Sequence, residues 1–393
     1  MIGIGEQGLA SLLPTAQRAV ERAEVIVGGI RHPDLGPGVS AERVDWPEGF
    51  DELLALLRRL RPRRPVMLVT GDPLWYSIGA RLLRAIPARE IEFHPQLSAF
   101  QWAACRLRWS LADVETLTVH GREAEQIVPY FWPGARLLVL TAGAESPGEI
   151  ARLLSACGYG RSRITVLANL GGPDEAHVEG MADEWAAHDP VETMPPFHTL
   201  AIECAGMPRP LLPRLPGLAG DAFPGGSPAL PREVRSLALA LLMPARGAWL
   251  WDIGCGDGAI GIEWMRAAPE ARAIGIDPDE GRLATARANA LALGAPRLKT
   301  VAGCAPEALE GLPAPDAVFF GGGLSPATAE AALAALSPGG RLVACSRQDD
   351  GATLLATLHR ARGGVLHRLA CATVDEARGW QKSGPFHLWG LVI

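Results

Sequence analysis

Residues 249–258 read WLWDIGCGDG, a hydrophobic run that ends on an acid and continues as alternating glycines. This pattern predicts a buried strand that turns directly into a helix, with glycines that let the backbone approach a ligand at the helix N-terminus. A second acid, Asp277, ends the next hydrophobic run and could accept both hydroxyls of a ribose. We therefore predict a parallel α/β domain that binds a nucleotide-like cofactor.

The chain is long enough for more than one domain, since 393 residues exceed what a single hydrophobic core usually supports. The clearest break is a segment dense in Pro and Gly at 206–228, which predicts a linker with a disordered or extended centre. The domains are then 1–205 and 229–393. The first of them is expected to have two lobes, about 1–96 and 97–205.

Composition excludes several classes of function. A formal net charge of -6 gives no sign of non-specific nucleic-acid binding, and no apolar segment reaches the length of a membrane span. The seven scattered cysteines predict a reduced, cytoplasmic protein with mostly buried thiols and no metal site. Only two of the basic residues are lysines, which reflects either genomic base composition or a substrate rich in carboxylates.

Alternating β-branched runs and helical patterns predict parallel sheets covered by helices. The strands expected in the first half are Ile2–Gly5, Val25–Gly28, Val66–Thr70, Ile91–His94, Glu115–Val119, Leu137–Thr141, Arg163–Leu167 and Leu200–Glu203. Those expected in the second half are Trp249–Ile253, Ala273–Asp277, Leu298–Val301, Ala317–Phe320 and Arg341–Cys345, followed by an antiparallel edge near Val365–Thr373 and Phe386–Val392.

The glycine loop of the second half reads DxGxGxG, and with Asp277 it resembles the Rossmann-like class I methyltransferases, which use S-adenosylmethionine (SAM). The resemblance implies cofactor contacts from Asp252, Gly254, Cys255, Gly256, Asp257, Gly258, Asp277 and Ala305. After the fourth strand stand Gly321, Gly322 and Gly323, where nitrogen methyltransferases often carry an Asn or Asp before two prolines. These glycines either leave room for a flat substrate that is methylated on carbon or form a flexible loop tip.

In the first half, residues 3–8 match GxGxxG, but the next strand ends in glycine and not in an acid, so a nicotinamide site is disfavoured. The stretch VTGDPLWYSIG at 69–79 instead resembles the bilobal class III methyltransferases of tetrapyrroles. That resemblance implies cofactor contacts from Gly71, Asp72, Pro73, Ser98, Ala99 and Thr141. It also implies substrate contacts from Gly3, Gly5, His120 and Arg122. His120 could instead be a proton carrier or a satisfied loop histidine, and Arg122 is otherwise one half of a surface ion pair.

A class III domain followed by a class I domain resembles the family of precorrin-6B C5,15-methyltransferases (decarboxylating) of cobalamin biosynthesis. The resemblance implies two SAM molecules, one per domain, and a polycarboxylate corrinoid precursor as the substrate. It implies methylation at C15 with loss of the ring C acetate carboxyl by the C-terminal domain. The N-terminal domain then methylates C5, which gives precorrin-8. A homo-oligomer is expected, and no general acid or base is identified.

Departures from the family pattern keep two alternatives open. The chain starts inside the first predicted strand, and Leu230-Pro231 replaces a Thr-Lys pair. Cys345-Ser346-Arg347-Gln348 stands where relatives more often show Asn-Ala-Val-Thr. One alternative is therefore an enzyme with a single active domain, the other domain only holding the tetrapyrrole. The other alternative is a non-catalytic protein that binds SAM or a tetrapyrrole.

Overall fold

The computed structural model describes residues 1–28, 35, 38–207, 210–226, 228–375 and 379–393. These residues form two compact units. The first unit comprises 1–122 with 132–206, and the second comprises 123–131 with 207–393. Within the described ranges, no helix combines the length and the apolar character needed to cross a membrane.

The first unit opens with a four-stranded, fully parallel sheet in the order β1-β4-β2-β3. Its strands are β1 (Ile2–Ile4), β2 (Val25–Gly28), β3 (Glu42–Asp45) and β4 (Val66–Thr70). Its helices are α1 (Pro14–Glu21), α2 (Phe50–Leu60) and the single turn α3 (Gly79–Leu82). Val25 and Val27 face one hydrophobic cluster and Ile26 faces another, so both faces of the sheet are covered, as parallel sheets require.

The structure of this sheet differs from the sequence prediction in two places. No strand forms at Ile91–His94. His94 makes one bridge to Ile2, and Pro95 follows without an N–H group to extend the ladder. Conversely, β3 was not predicted, because its sequence ERVD is mostly exposed and lacks an apolar run.

The second lobe contains α4 (Ala99–Leu107), α5 (Ser146–Ala156), α6 (Ala182–Ala187) and a five-stranded sheet in the order β5-β6-β9-β7-β8. The strands are β5 (Glu115–Thr118), β6 (Arg136–Leu140), β7 (Arg163–Ala168), β8 (Ala176–Met181) and β9 (His198–Glu203). Only β5 and β6 pair in parallel, so the expected parallel sheet is wrong here. The short connection between β7 and β8 allows only a hairpin, because a parallel crossover needs about a dozen residues or more.

The second unit is built on a seven-stranded sheet in the order β12-β11-β10-β13-β14-β16-β15. Its strands are β10 (Trp249–Ile253), β11 (Arg272–Asp277), β12 (Lys299–Ala302), β13 (Ala317–Phe320), β14 (Arg341–Ser346), β15 (Val365–Asp375) and β16 (Gly379–Val392). Its helices are α7 (Arg232–Leu242), α8 (Ala259–Ala267), α9 (Glu280–Ala292), α10 (Pro326–Ala335) and α11 (Asp349–Arg362). The strand order reverses between β10 and β13, which places the ligand crevice of such a sheet at their carboxyl ends.

Most elements of the second unit agree with the sequence, including the antiparallel hairpin of β15 and β16. The segment 210–226 differs from the disordered or extended linker expected there. Leu218 and Phe223 are buried in the core formed with α7 and α8. The cysteines also differ from expectation, since only Cys204, Cys255 and Cys345 are buried.

Candidate active site

The glycine loop of the second unit adopts a backbone that only glycine enters without strain. Gly254, Gly256 and Gly258 have φ values of 68°, 54° and 79°. A methyl group built on Gly256 would meet no atom within 4 Å. The loop therefore turns bare backbone toward open space at the carboxyl end of β10, which fits a cofactor that lies against the main chain.

The glycines that follow β13 lie directly against this loop. A methyl group built on Gly254 would lie 2.5 Å from the amide nitrogen of Gly322. The Gly321 amide donates to the Ile253 carbonyl at 2.8 Å, and Gly323, with a φ of 67°, opens to free space. The structure thus brings the predicted cofactor glycines and the predicted substrate glycines together at the strand-order reversal.

Asp277 fastens the glycine loop from the end of β11. Its carboxylate is buried and accepts from the Gly256 amide at 3.0 Å and from the Asp279 amide at 3.0 Å. Each carboxylate oxygen can accept more than one hydrogen bond. Asp277 therefore positions the loop and still has capacity for ribose hydroxyls.

Asp252 lies beneath the loop. It is 1% exposed, its Oδ2 accepts from the Gly261 amide at 3.0 Å, and its Oδ1 has no partner among the described residues. Burial raises the pKa of this carboxyl to about 7. Asp252 therefore holds the first turn of α8 in place through this hydrogen bond. Asp257 accepts from the Ala259 amide at 3.0 Å, and burial raises its pKa as well.

The other predicted cofactor residues of this unit support the loop by packing. The Cys255 thiol is buried, and burial raises its pKa. A methyl group on Gly258 would lie 2.9 Å from Cβ of Ala286, so the glycine lets α8 approach α9. Ala305 is half-buried and packs on the core face shared with α10.

In the first unit, three segments meet where β1 and β4 end. A methyl group on Gly3 would lie 2.2 Å from the Gly71 carbonyl oxygen and 2.7 Å from Cβ of Gln96. The Gly71 amide donates to the Ile4 carbonyl at 3.0 Å, and Gly71 has a φ of 68°. Gly5 continues the same edge and is half-buried. Gly3 and Gly71 thus allow a backbone approach that a larger residue would block.

Side chains accept hydrogen bonds from main-chain amides both in the turn after β4 and at the start of α4. The Asp72 carboxylate accepts from the amides of Leu74 and Trp75 at 2.8 and 3.1 Å, next to the buried Pro73. Ser98 is buried and forms a capping box with Gln101 at the start of α4, where Ala99 is the first helical residue. Asp72 and Pro73 thus lie in a hydrogen-bonded turn, and Ser98 and Ala99 lie at a helix N-terminus.

His120 and Arg122, the other two predicted substrate residues of this unit, lie beyond β5. The Arg122 guanidinium lies 5.8 Å from the centre of the Tyr76 ring, and the Tyr76 hydroxyl donates to the Thr116 carbonyl at 2.7 Å. His120 and Arg122 are both exposed. The structure therefore joins the turn after β4 to the loop after β5 through Tyr76.

Thr141 lies in the second lobe, directly after β6. Its hydroxyl donates to the His198 carbonyl at 2.6 Å. Across the lobes, the Gln7 side-chain amide donates to the Gly171 carbonyl at 3.0 Å. Gln7, from the misleading GxGxxG stretch, thus links the glycine loops of both lobes.

Sequence reasoning missed Asn289 and Gly225 beside the glycine loop of the second unit. Asn289 is fully buried on α9. Its amide group donates to the Asp257 carbonyl at 3.1 Å, and its carbonyl oxygen accepts from the Gly225 amide at 2.9 Å. An asparagine inside an alanine-rich helix is disfavoured by propensity, and that oddity was the available signal.

Comparisons with known proteins match both halves of the chain. The tetrapyrrole (corrin/porphyrin) methylase family model matches residues 1–186, and the precorrin methyltransferase domain model matches residues 221–392. A precorrin-6Y C(5,15)-methyltransferase (decarboxylating) of Sinorhizobium sp. is 38% identical over 99% of this chain and 95% of its own length. The enzyme of that name from Mycobacterium tuberculosis is 32% identical over 100% of this chain and 98% of its own.

A third relative matches only part of the chain. The cobalt-precorrin-7 C(5)-methyltransferase of Salmonella typhimurium is 29% identical over 44% of this chain and 86% of its own length. The full-length relatives carry the assignment, because identity above 30% extends through both units. The chain belongs to the precorrin-6Y C(5,15)-methyltransferase (decarboxylating) family.

Proposed function

We propose that the chain uses SAM to methylate a reduced precorrin-6 intermediate at C5 and C15 and to remove one acetate carboxyl as carbon dioxide. The observation that carries the proposal is the full-length similarity to enzymes named for these reactions, at 38% identity over 99% of the chain. Each unit also presents a glycine-lined strand edge that suits a cofactor.

We propose one SAM site in each unit. In the second unit, the open backbone of Gly256 and the carboxylate of Asp277 would hold the nucleoside part of SAM. In the first unit, Gly71, Asp72 and the α4 N-terminus would take that role. SAM supplies an electrophilic methyl group, so an electron-rich carbon chiefly has to be held in line with it.

The second unit is proposed to carry out the C15 methylation and the decarboxylation. Methylation of the conjugated tetrapyrrole creates an iminium-like electron sink in the substrate. The C–C bond to the acetate carboxyl then breaks, carbon dioxide leaves, the electron pair enters the sink, and the remaining carbon takes up a proton. Gly321, Gly322 and Gly323 carry no side chains, which leaves room for a flat ring system in line with the methyl donor.

The first unit is proposed to methylate C5. The proposal is supported by the tetrapyrrole methylase model that matches residues 1–186 and by the similarity of part of the chain to a C(5)-methyltransferase. Arg122 is exposed at the edge of this site and could bind a substrate carboxylate, because guanidinium groups match carboxylates with paired hydrogen bonds. His120 lies beside it and is proposed as a substrate contact, with no proton-transfer role assigned.

The test is product mass after incubation of the whole chain with SAM and the reduced precorrin-6 intermediate. We expect two methyl groups gained and one carbon dioxide lost. Asp72→Ala should remove the methyl gain at C5 alone, and Asp277→Ala should remove the methyl gain at C15 together with the loss of carbon dioxide. A single methyl gain by the wild type would support one active domain, and unchanged substrate despite bound SAM would support a non-catalytic binding protein.

Calorimetric titration tests the number of cofactor sites. We expect two SAM molecules per wild-type chain and one in either variant. We also propose that the enzyme is a cytoplasmic homo-oligomer, which analytical ultracentrifugation tests. A monomer at micromolar concentration would contradict the oligomer.

A further inference from the structure

The segment 217–226, called the strap from here on, is built into the second unit ahead of α7. Leu218 is 1% exposed and Phe223 is 3% exposed, and both belong to the core formed with α7, α8 and α9. The Phe223 ring also lies 5.3 Å from the Arg235 guanidinium. The strap therefore contributes two side chains to the core of this unit.

A buried ion pair fastens the strap at its first end. Arg235 on α7 and Glu263 on α8 are paired at 2.7 Å, with side chains 2% and 1% exposed. Glu263 accepts from the Gly217 amide, and Arg235 donates to the Leu218 carbonyl and, at 2.6 Å, to the Leu230 carbonyl. Each charged group thus has main-chain partners from the strap or its exit.

Asn289 fastens the other end and joins it to the cofactor loop. One side-chain amide bridges the Gly225 N–H of the strap and the Asp257 carbonyl of the loop, at 2.9 and 3.1 Å. Gly225 is packed so tightly that an added methyl would lie 2.4 Å from Cγ2 of Thr285. The Asn289 side chain is fully buried, so the loss of either hydrogen bond would leave one of its polar atoms without a partner.

We propose that Asn289 is a positioning residue that couples the strap to the cofactor loop, so that SAM affinity at the second unit depends on a docked strap. The Asp257 carbonyl belongs to the peptide unit between Asp257 and Gly258, at the entrance to α8. The amide of the same peptide unit, that of Gly258, donates to the Cys255 carbonyl at 2.9 Å, so the Asn289 contact helps to fix the turn of the loop around Gly256. The inference rests on the proposed SAM site of this unit.

The first test changes the donor of the bridge alone. Asn289→Asp keeps an acceptor for the Gly225 amide and places a carboxylate oxygen opposite the Asp257 carbonyl. In an Asp72→Ala background, where only the second unit binds SAM, we expect the Kd for SAM to rise about tenfold or more. The KM for SAM should rise with it, while kcat at saturating SAM stays within about twofold. The matched control is Ala288→Asp, which adds the same acid to an exposed position one residue away.

The second test acts from the strap and does not alter Asn289. Gly225→Ala should weaken SAM binding through the clash with Thr285. Gly225→Ala with Thr285→Ser should restore at least part of the affinity, because serine lacks Cγ2. This pair decides the question if Asn289→Asp does not fold.

The outcomes separate the two proposals. If the Asp72→Ala parent binds no SAM, the proposed function of the second unit is wrong, and this inference is overturned with it. If the parent binds SAM and neither Asn289→Asp nor Gly225→Ala changes the Kd beyond Ala288→Asp, only the coupling is overturned.

Discussion

Two glycines of the same loop are constrained in different ways. Gly254 and Gly256 both have positive φ, yet only at Gly254 would a methyl group strike another loop, that of Gly322. An alanine at either position would have a strained backbone, and only at Gly254 would its methyl group also overlap main-chain atoms.

We therefore predict that Gly254→Ala lowers the free energy of unfolding by about 3 kcal/mol or more, since strain and overpacking add. Gly256→Ala is the control and should cost about 1 kcal/mol. Urea denaturation of the ligand-free protein measures both. Equal losses would contradict the loop contact.

From the raised pKa of Asp252 we predict an unusual pH dependence of the free energy of unfolding. Burial raises its pKa in the folded protein from 3.8 to about 7. As pH rises between those values, the unfolded chain loses this proton before the folded chain does, so stability falls with pH. Above the folded pKa the whole penalty of the buried charge is present.

The substitution Asp252→Asn replaces the carboxyl with an amide that carries no such charge. The variant should therefore be more stable than the wild type at pH 8 and closer to it at pH 5. The gain is about 1.4 kcal/mol for each pKa unit of the shift. Denaturant titrations at the two pH values measure it. A difference that is the same at both would show that Asp252 does not titrate in this range.

At the scale of elements, the Arg235–Glu263 pair links α7 and α8 in the core. Arg235→Met leaves the Glu263 carboxylate buried without its partner, so we predict a loss of about 3–5 kcal/mol in the free energy of unfolding. Arg287→Met is the control, because it breaks an exposed pair with Glu280 and should cost less than about 1 kcal/mol.

Adding Glu263→Leu to Arg235→Met removes the stranded charge and should recover part of the loss. Thermal or urea unfolding of the single and double variants measures the recovery. Additive losses would mean that the two side chains act independently.

Strands and helices with a regular pattern of apolar residues could be predicted from the sequence. Elements that form because of their tertiary contacts could not. Strand β10 agrees with the predicted Trp249–Ile253 to the residue, because a buried apolar run is a local signal. Helix α11 was missed because its buried contact is limited to Leu355 and Leu358. Strand β8 was missed because its side chains are mostly exposed.

Part of the candidate site could be predicted from the sequence for the same reason. The glycine loop and Asp277 form a local pattern, so their proximity could be anticipated. Asn289 and Gly225 meet only after folding, since their contact joins residues 64 positions apart. No local sequence pattern predicts that these two residues lie in contact.

At the scale of the molecule, the predicted start of the second domain at residue 229 can be tested directly. The fragment 229–393 lacks Leu218 and Phe223, which are core residues, and lacks the backbone that satisfies Arg235 and Glu263. We predict that fragment 210–393 unfolds at a higher temperature and binds the hydrophobic dye ANS less than fragment 229–393. Equal behaviour would place the boundary at 229.

The contact between Gly254 and Gly322 limits how this enzyme could be redesigned. Substrate loops are the usual place to alter specificity, because they tolerate exchange without disturbing the scaffold. Here the loop that we propose contacts the substrate lies against the loop that we propose contacts SAM, and a methyl group on Gly254 would lie 2.5 Å from the amide nitrogen of Gly322. New side chains would have to be introduced at Gly322, where an added methyl group would lie 3.8 Å from Cα of Gly254, and not at Gly254 or at Gly323, whose φ of 67° favours glycine.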